Sequence, residues 1–178
     1  TALVSFERVF EVLDLPSLVQ EKPDAVDLPR TAGRLELDHV DFTYPGADEV
    51  SLPSLEGVVR PDVSSPGGPV LRDVSFAAEP GQMIALVGPS GAGKTTVTHL
   101  VARLYDATAG SVRVDGVDVR DVTLQSLEDV VGYVTQDAHM FHDTIRSNML
   151  YARPGASDQE IWAALEAAQV AGLVRRLP

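Results

Sequence analysis

The residues best suited to chemistry form one glycine-rich stretch, Gly88-Pro89-Ser90-Gly91-Ala92-Gly93-Lys94-Thr95-Thr96. The stretch matches the pattern G-x-x-x-x-G-K-[ST] at every required position. It lies between an apolar run at 83–87, interpreted as a strand, and a helical pattern at 97–104. A strand, a glycine loop and a helix in this order are the context that a phosphate-binding loop (P-loop) requires. The alternative is a glycine-rich turn that contains Lys-Thr by chance, and the flanking patterns argue against it.

The residue types of this loop suit a triphosphate. Its glycines let the backbone come close to crowded phosphate oxygens in dihedrals that other residues avoid. Successive backbone N–H groups then form an anion-binding concavity at the positive end of a helix. Lys94 is a mobile point charge for the β- and γ-phosphates, and the Thr95 hydroxyl is placed to ligate Mg²⁺. We therefore expect residues 88–96 to bind a nucleotide with its magnesium ion.

Composition limits the class of protein. The 178 residues, 44 % of them hydrophobic, suffice for one domain with a core. The net charge of −12 argues against a nucleic-acid surface, which needs a basic patch, but not against nucleotide binding at a locally positive loop. Without cysteine, no disulfide framework or thiolate metal site is expected. No apolar run approaches the roughly 20 residues of a membrane span, and acidic residues near the start argue against a secretory signal. We expect a soluble, cytoplasmic chain.

The N-terminal part is predicted as a helix, a linker, a strand and a long loop. A helix over 2–13 follows from apolar residues that repeat at helical spacing, namely Phe6, Val9, Phe10 and Leu13. Residues 16–33 combine proline with mixed charges and are interpreted as a linker. Residues 34–44 alternate as a strand with a change of register near Val40, and His39 is interpreted as a surface residue of this strand. Prolines and glycines predict an irregular loop over 45–69.

The remaining pattern alternates short strands with short helices. Residues 70–78 predict a strand, and 111–119 predict a hairpin around Asp115-Gly116. Residues 130–134 are interpreted as a buried strand that ends shortly before Gln136. After the P-loop helix, four further helices are predicted, at 124–129, 144–150, 161–168 and 170–176. A capping box at Ser157–Glu160 opens the third of them.

The order of these motifs resembles the nucleotide-binding domain of an ATP-binding-cassette (ABC) transporter, of the exporter type whose membrane and ATPase parts share one polypeptide. The resemblance runs from about residue 34 to the end. It is carried by the P-loop together with Phe42-Thr43-Tyr44-Pro45, Gly110–Asp118, Val131–Gln136 and Phe141–Asn148.

The resemblance implies an α/β fold with a P-loop NTPase (RecA-like) core, an antiparallel β-subdomain and the start of a helical subdomain at 137–178. Residues 1–33 would then be a connector helix and linker from an absent membrane domain, and 34–178 a partial nucleotide-binding domain. The family's signature motif, the Walker B strand ending in Asp-Glu and the following His are missing. Asp115 follows Val-Arg-Val but belongs to the hairpin. The chain is therefore expected to be an N-terminal fragment truncated before those motifs.

The resemblance also assigns site residues. Tyr44 would stack on adenine, although it could instead be a core tyrosine at a strand end. Gln136 would contact Mg²⁺ or the attacking water and act in catalysis with Lys94. Thr95 and Gln136 would be the metal ligands. The nucleotide ATP would be bound by Tyr44, Gly88, Pro89, Ser90, Gly91, Ala92, Gly93, Lys94, Thr95 and Thr96.

The implied partners and activity belong to a transporter. A second nucleotide-binding domain would complete the site, and coupling helices of the membrane domain would dock at about 137–150. Apolar residues there could line that groove or be core of the helical subdomain: Met140, Phe141, Ile145 and Met149. The intact protein would drive transport with ATP from the cytoplasmic face of the cell membrane. The fragment is expected to bind ATP-Mg without hydrolysing it. A soluble P-loop NTPase and a non-hydrolysing nucleotide-binding module remain alternatives.

Overall fold

A computed structural model describes residues 17–29, 32–46, 68–136 and 139–177, together with Phe6, Val9, Phe10, Leu13 and Asp14. The predicted loop at 45–69 lies almost entirely outside the described residues. The chain divides into two compact units, Thr1–Tyr133 and Val134–Pro178. No helix among the described residues is long and apolar enough to cross a membrane.

The first unit is built on a four-stranded antiparallel sheet. Its strands are β1 (Leu35–Phe42), β2 (Leu71–Ala78), β3 (Ala109–Val114) and β4 (Val117–Asp118). Their order across the sheet is β2-β1-β3-β4, so that β1 pairs with both β2 and β3. The strands predicted at 34–44 and 70–78 and the hairpin at 111–119 are thereby confirmed.

Strand β1 places its apolar side chains in the core and changes register in the middle. Leu37, Val40 and Phe42 are buried, and the pairing with β2 shifts between Leu37 and Val40. At this shift His39 has a φ of 48°, and on β2 Asp73 has a φ of 52°. An extra residue at a bulge restores the inward direction of the next apolar side chain, which explains the change of pattern at Val40. The side chain of His39 is exposed, as predicted.

Gly110 permits the close approach of β3 to β1. Its φ is 75°, and a Cβ atom at this position would lie 2.2 Å from the carbonyl oxygen of His39 and 2.4 Å from that of Asp38. Both atoms are backbone and have little freedom to move. Only glycine therefore fits at the point where these two strands are closest.

The hairpin turn also anchors the chain that enters β1. The carboxylate of Asp115 accepts hydrogen bonds from the backbone N–H groups of Ala32 (2.6 Å), Gly33 (3.2 Å) and Arg34 (2.8 Å). These hydrogen bonds lower the pKa of the Asp115 carboxyl, and the bond from the Arg34 N–H has the largest effect. Asp115 is thus a turn residue with a structural task, in agreement with its assignment to the hairpin.

The segment predicted as a linker is packed on the first unit. Val26 forms an isolated parallel bridge with Val122. Leu28 is buried, and its N–H donates to the Ser126 hydroxyl at 2.9 Å. Residues 17–29 therefore belong to the structure of this unit, although proline and charge dominate their composition.

Helices account for the remaining elements. They are α1 (Lys94–Val101), a 3₁₀ turn (Val119–Asp121), α2 (Leu124–Glu128), α3 (Ile145–Ala152), α4 (Asp158–Ala167) and α5 (Ala171–Val174). Thr123 and Thr144 cap α2 and α3, and the capping box predicted between Ser157 and Glu160 is present at α4. The four helices predicted after residue 123 are confirmed within a few residues.

Two strand predictions are wrong. Residues 83–87 and 130–134 belong to no strand, and several of their apolar side chains are open to solvent: Met83 is 95 %, Val87 91 % and Val134 95 % exposed. A strand forms when a neighbouring strand accepts and donates its backbone hydrogen bonds. Among the described residues no strand pairs with either run, so hydrophobic composition alone does not produce one here.

The helix prediction near the N-terminus is met at the residues that the structure describes. Phe6, Val9, Phe10 and Leu13 are helical, and all four side chains are more than half exposed. The core lies elsewhere, between the sheet, α1 and α2. It includes Leu37, Val40, Phe42, Leu71, Val97, Leu100, Val112, Val114, Val119, Val122 and Leu127.

Candidate phosphate-binding site

The loop that precedes α1 has the backbone of an anion cradle. Gly91 and Gly93 have φ angles of 80° and 81°. The Ala92 N–H donates to the Pro89 carbonyl at 3.3 Å and closes a turn between them. Gly93 is the N-cap of α1, where a Cβ atom would lie 2.6 Å from Cδ2 of Leu71. The glycine spacing of the motif therefore serves both the conformation of the loop and its packing against β2.

The Lys94 side chain folds back over its own loop. Its Nζ donates to the carbonyl oxygens of Gly88 at 2.9 Å and Pro89 at 2.7 Å. These two bonds hold a positive charge at the mouth of the loop. Phosphate oxygens are stronger acceptors for an ammonium group than carbonyl oxygens, because the bond is then charged on both sides.

The first turn of α1 is open to an anion. No side chain of the described residues caps this turn, and no acidic residue lies in it. Within the part of the chain that the structure describes, the N–H groups of Lys94 and Thr95 have no protein acceptor. The Thr95 side chain is exposed at the same end. Unpaired N–H groups and the helix dipole favour a negative ligand, and a free hydroxyl suits a hard cation such as Mg²⁺. The residues present therefore fit a magnesium-bound triphosphate.

Tyr44 lies just after β1 and contacts α1 by its hydroxyl. The hydroxyl oxygens of Tyr44 and Thr96 are 3.0 Å apart, and His99 Nδ1 is 3.5 Å from the Tyr44 hydroxyl. The Tyr44 ring makes edge-to-face contacts with Phe42 (4.8 Å between centroids) and Tyr105 (5.2 Å). Tyr44 is half-buried and Thr96 is buried. Tyr44 thus packs at the strand end as a partly buried tyrosine, and its stacking on adenine stays a prediction.

Arg103 is a buried residue that the sequence interpretation did not identify. Its guanidinium donates to the Asp106 carboxylate at 3.0 Å and to the carbonyl oxygens of Val122 at 3.2 Å and Gln20 at 3.0 Å. A buried charge needs such partners to offset its lost hydration. The signal was a basic residue three positions after Leu100, on the apolar face of the predicted helix.

The remaining predicted site residues belong to the second unit. Gln136 lies at its start with an exposed side chain, and its catalytic and metal-binding roles stay predictions. Of the apolar residues at 140–149, Met140 and Phe141 are exposed. Met149 packs instead against the small core formed by Ile161, Leu165 and Ala171. The side-chain amide of Asn148 bonds both the N–H (2.7 Å) and the carbonyl (3.1 Å) of Phe141, which fixes the turn before α3.

A glycine loop, its lysine and an uncapped helix end define a P-loop nucleotide-binding protein. A sequence profile of the ABC transporter family matches residues 71–178, and the chain belongs to that family. The expected P-loop NTPase fold with an antiparallel sheet and the resemblance to an ABC exporter are thereby confirmed.

Curated proteins resemble this chain over almost its whole length. The "Fatty acid ABC transporter ATP-binding/permease protein" of Mycobacterium tuberculosis is 41 % identical over 179 residues, which cover 100 % of this chain and 25 % of the relative. The "Heavy metal tolerance protein" of Schizosaccharomyces pombe is 38 % identical over 177 residues, covering 99 % of this chain and 19 % of the relative. The chain thus spans a fifth to a quarter of their length.

A solved structure extends the similarity to three dimensions. A bacterial Atm1-family ABC exporter with ATP bound is 35 % identical to the chain, with a TM-score of 0.80. The match covers 99 % of this chain and 28 % of that one.

Proposed function

We propose that this chain is the ATP-binding part of an ABC exporter, in which ATP binding and hydrolysis drive transport across a membrane. The observation that carries the proposal is the P-loop itself, with left-handed Gly91 and Gly93, a lysine at its mouth and an uncapped helix end. Membership of the ABC transporter family supports it, as do relatives described as ATP-binding/permease proteins.

The phosphates would be bound by the backbone of residues 88–96 and by Lys94. On binding, the Lys94 ammonium would exchange its bonds to Gly88 and Pro89 for phosphate oxygens. The exposed Thr95 hydroxyl would ligate Mg²⁺, which neutralises charge on the β- and γ-phosphates when bound. The Thr96 hydroxyl already bonds Tyr44, so Thr96 would contribute its backbone N–H.

The base and the attacking water would be contacted by residues that lie far from the P-loop in sequence. Tyr44 would offer its ring to adenine by stacking, an interaction that tolerates different bases. Gln136 would hold Mg²⁺ or the attacking water. A second nucleotide-binding domain would complete the site, and coupling helices of a membrane domain would dock at about 137–150. The intact protein would act at the cytoplasmic face of the membrane.

These 178 residues would bind ATP-Mg but hydrolyse it little. Their sequence contains no apolar run ending in Asp-Glu, the arrangement that would supply a general base next to the P-loop. Phosphoryl transfer needs a positioned water in addition to phosphate binding. Turnover by the isolated 178 residues at the rate of the intact protein would contradict this part of the proposal.

Calorimetric titration with MgATP tests the binding step. Lys94→Ala should weaken binding about 10–100-fold, since a hydrogen bond between charged groups contributes about 1.5–3 kcal/mol. Thr95→Ala should reduce the difference between titrations with and without Mg²⁺. The matched control is Lys22→Ala. Lys22 lies in the packed segment 17–29 and pairs with Asp121. Equal affinities for the Lys94 and Lys22 variants would contradict the assignment.

The transport step requires the full-length polypeptide in membrane vesicles. ATP hydrolysis and substrate flux should both fall to background in its Lys94→Ala variant. Binding of MgATP with no hydrolysis by the intact protein would favour the non-hydrolysing module instead.

A further inference from the structure

Tyr44 and the phosphate-binding helix are joined by side chains. The Tyr44 hydroxyl lies 3.0 Å from the hydroxyl of Thr96, the third residue of α1, and 3.5 Å from Nδ1 of His99 one turn later. Tyr44 and Thr96 are 52 positions apart in sequence. Thr96 directly follows Thr95, the residue with the exposed hydroxyl at the helix end.

The hydroxyl bond is required by the burial of Thr96. Only 4 % of Thr96 is exposed, and the partner of its hydroxyl in the described part of the chain is Tyr44. A buried hydroxyl without a partner is costly, so each of these two groups satisfies the other. Their contact therefore fixes the distance between the end of β1 and the first turn of α1.

The orientation of the Tyr44 ring is restricted by its neighbours. Phe42 and Tyr105 contact it at interplanar angles of 83° and 88°. Tyr44 also borders an open cleft of about 360 Å³, so part of the side chain remains accessible. Two edge-to-face contacts and one hydroxyl bond leave the ring little freedom to rotate.

We propose that Thr96 is a positioning residue for nucleotide-base recognition: its side chain holds the Tyr44 ring at a fixed place relative to the P-loop. The inference rests on the proposed function, in which Tyr44 stacks on the base. Because Thr96 and Thr95 share one helical turn, the Thr96 hydroxyl links the Tyr44 ring to the helix end at which the phosphates would bind. The backbone N–H of Thr96 serves the phosphates and its hydroxyl serves the base.

The test compares a ligand that has a base with one that has none. Affinities for MgATP and for magnesium tripolyphosphate are measured with the chain and with Tyr44→Phe, Thr96→Val, the double variant and Thr96→Ser. Tyr44→Phe and Thr96→Val should each weaken MgATP binding about 3–10-fold, the range of one neutral hydrogen bond. The double variant should bind no worse than about 2-fold below either single variant, because both changes remove the same bond.

Two further results identify positioning as the cause. Tripolyphosphate affinity should fall clearly less than MgATP affinity in every variant, because the substitutions keep the backbone N–H of Thr96, whereas a distorted P-loop would lower both affinities together. Thr96→Ser keeps the hydroxyl and should restore MgATP affinity to near that of the unchanged chain. Equal losses for both ligands, or losses that multiply in the double variant, would overturn the inference. If the unchanged chain binds no MgATP, or Lys94→Ala has no effect, the proposed function fails and the inference fails with it.

Discussion

The antiparallel sheet and the phosphate-binding loop belong to the same unit. They differ in how far their backbone polar groups are paired and their apolar side chains are buried. In the sheet, strands pair with one another and Leu37, Val40 and Phe42 are buried. At the loop, residues 83–87 (the approach segment) expose Met83 and Val87, and the N–H groups at the helix end have no protein partner among the described residues. The strands of the sheet are paired with one another, whereas the loop is suited to a ligand.

The difference separates stability from binding. Burial of the sheet's apolar face removes nonpolar surface from water and stabilises the fold. The Lys94 bonds to Gly88 and Pro89, by contrast, are exposed. Exposed bonds contribute little to stability and are easily exchanged for a phosphate. Substitutions in the sheet should therefore change mainly the free energy of unfolding, whereas substitutions in the loop should change mainly ligand affinity.

The largest difference is expected between Leu37→Ala and Met83→Ala. Leu37 is 2 % exposed and Met83 is 95 % exposed. Leu37→Ala should lower the free energy of unfolding by about 2–5 kcal/mol through a cavity in the core. Met83→Ala should change it by less than about 0.5 kcal/mol. Urea unfolding followed by circular dichroism measures both, and a comparable loss for Met83→Ala would show that the approach segment is packed in solution.

A second difference is expected between two glycines of similar conformation. Gly110 in the sheet has a φ of 75°, and a Cβ atom there would meet backbone oxygens; Gly91 in the loop has a φ of 80°, and a Cβ atom there would meet no described atom within 4 Å. An alanine at either position incurs backbone strain of about 1–3 kcal/mol. Gly110→Ala should lose about 1–3 kcal/mol more through the steric conflict with β1. Thermal unfolding of both variants checks this, and equal losses would contradict the close approach of the two strands.

The smallest effect concerns an exposed pair on the sheet. A hydrogen bond to Asp73, followed by the charges of Asp73 and Asp38, raises the pKa of His39. A raised folded-state pKa stabilises the fold below the unfolded value of about 6.5, and this contribution is lost as pH rises through the folded pKa. The stability difference between the unchanged chain and His39→Asn should therefore be larger near pH 6 than at pH 9.

Asparagine suits this comparison because it tolerates the left-handed backbone that His39 adopts. Both proteins would be unfolded with urea at a series of pH values. The Asp73→Asn variant should lose the same pH dependence. A stability difference that stays constant across the series would rule out titration of His39 as its cause.

Much of the fold could be predicted from local patterns. The P-loop, the hairpin around Asp115 and the capping box at Ser157 are each specified by a few consecutive residues. Their chemistry depends on neighbours in sequence, so the sequence alone predicts them. The family order of these motifs then predicted the fold class.

The features that local patterns do not predict share a physical cause, because each depends on partners far away in sequence. The run 83–87 has the composition of a strand, but whether it becomes one depends on a neighbour to pair with. Residues 17–29 have the composition of a linker, but their backbone finds partners at Val122 and Ser126. The bond between Tyr44 and Thr96 likewise joins two elements whose approach no local pattern indicates.

The packing of residues 17–29 determines where an expressed nucleotide-binding domain should begin. An expression boundary at residue 34, where the first strand pattern begins, would remove the Gln20 carbonyl from buried Arg103 and the Glu21 carboxylate from the N-terminus of α2. The guanidinium would face a gap immediately after the P-loop helix. A recombinant nucleotide-binding domain should therefore begin upstream of Ser17.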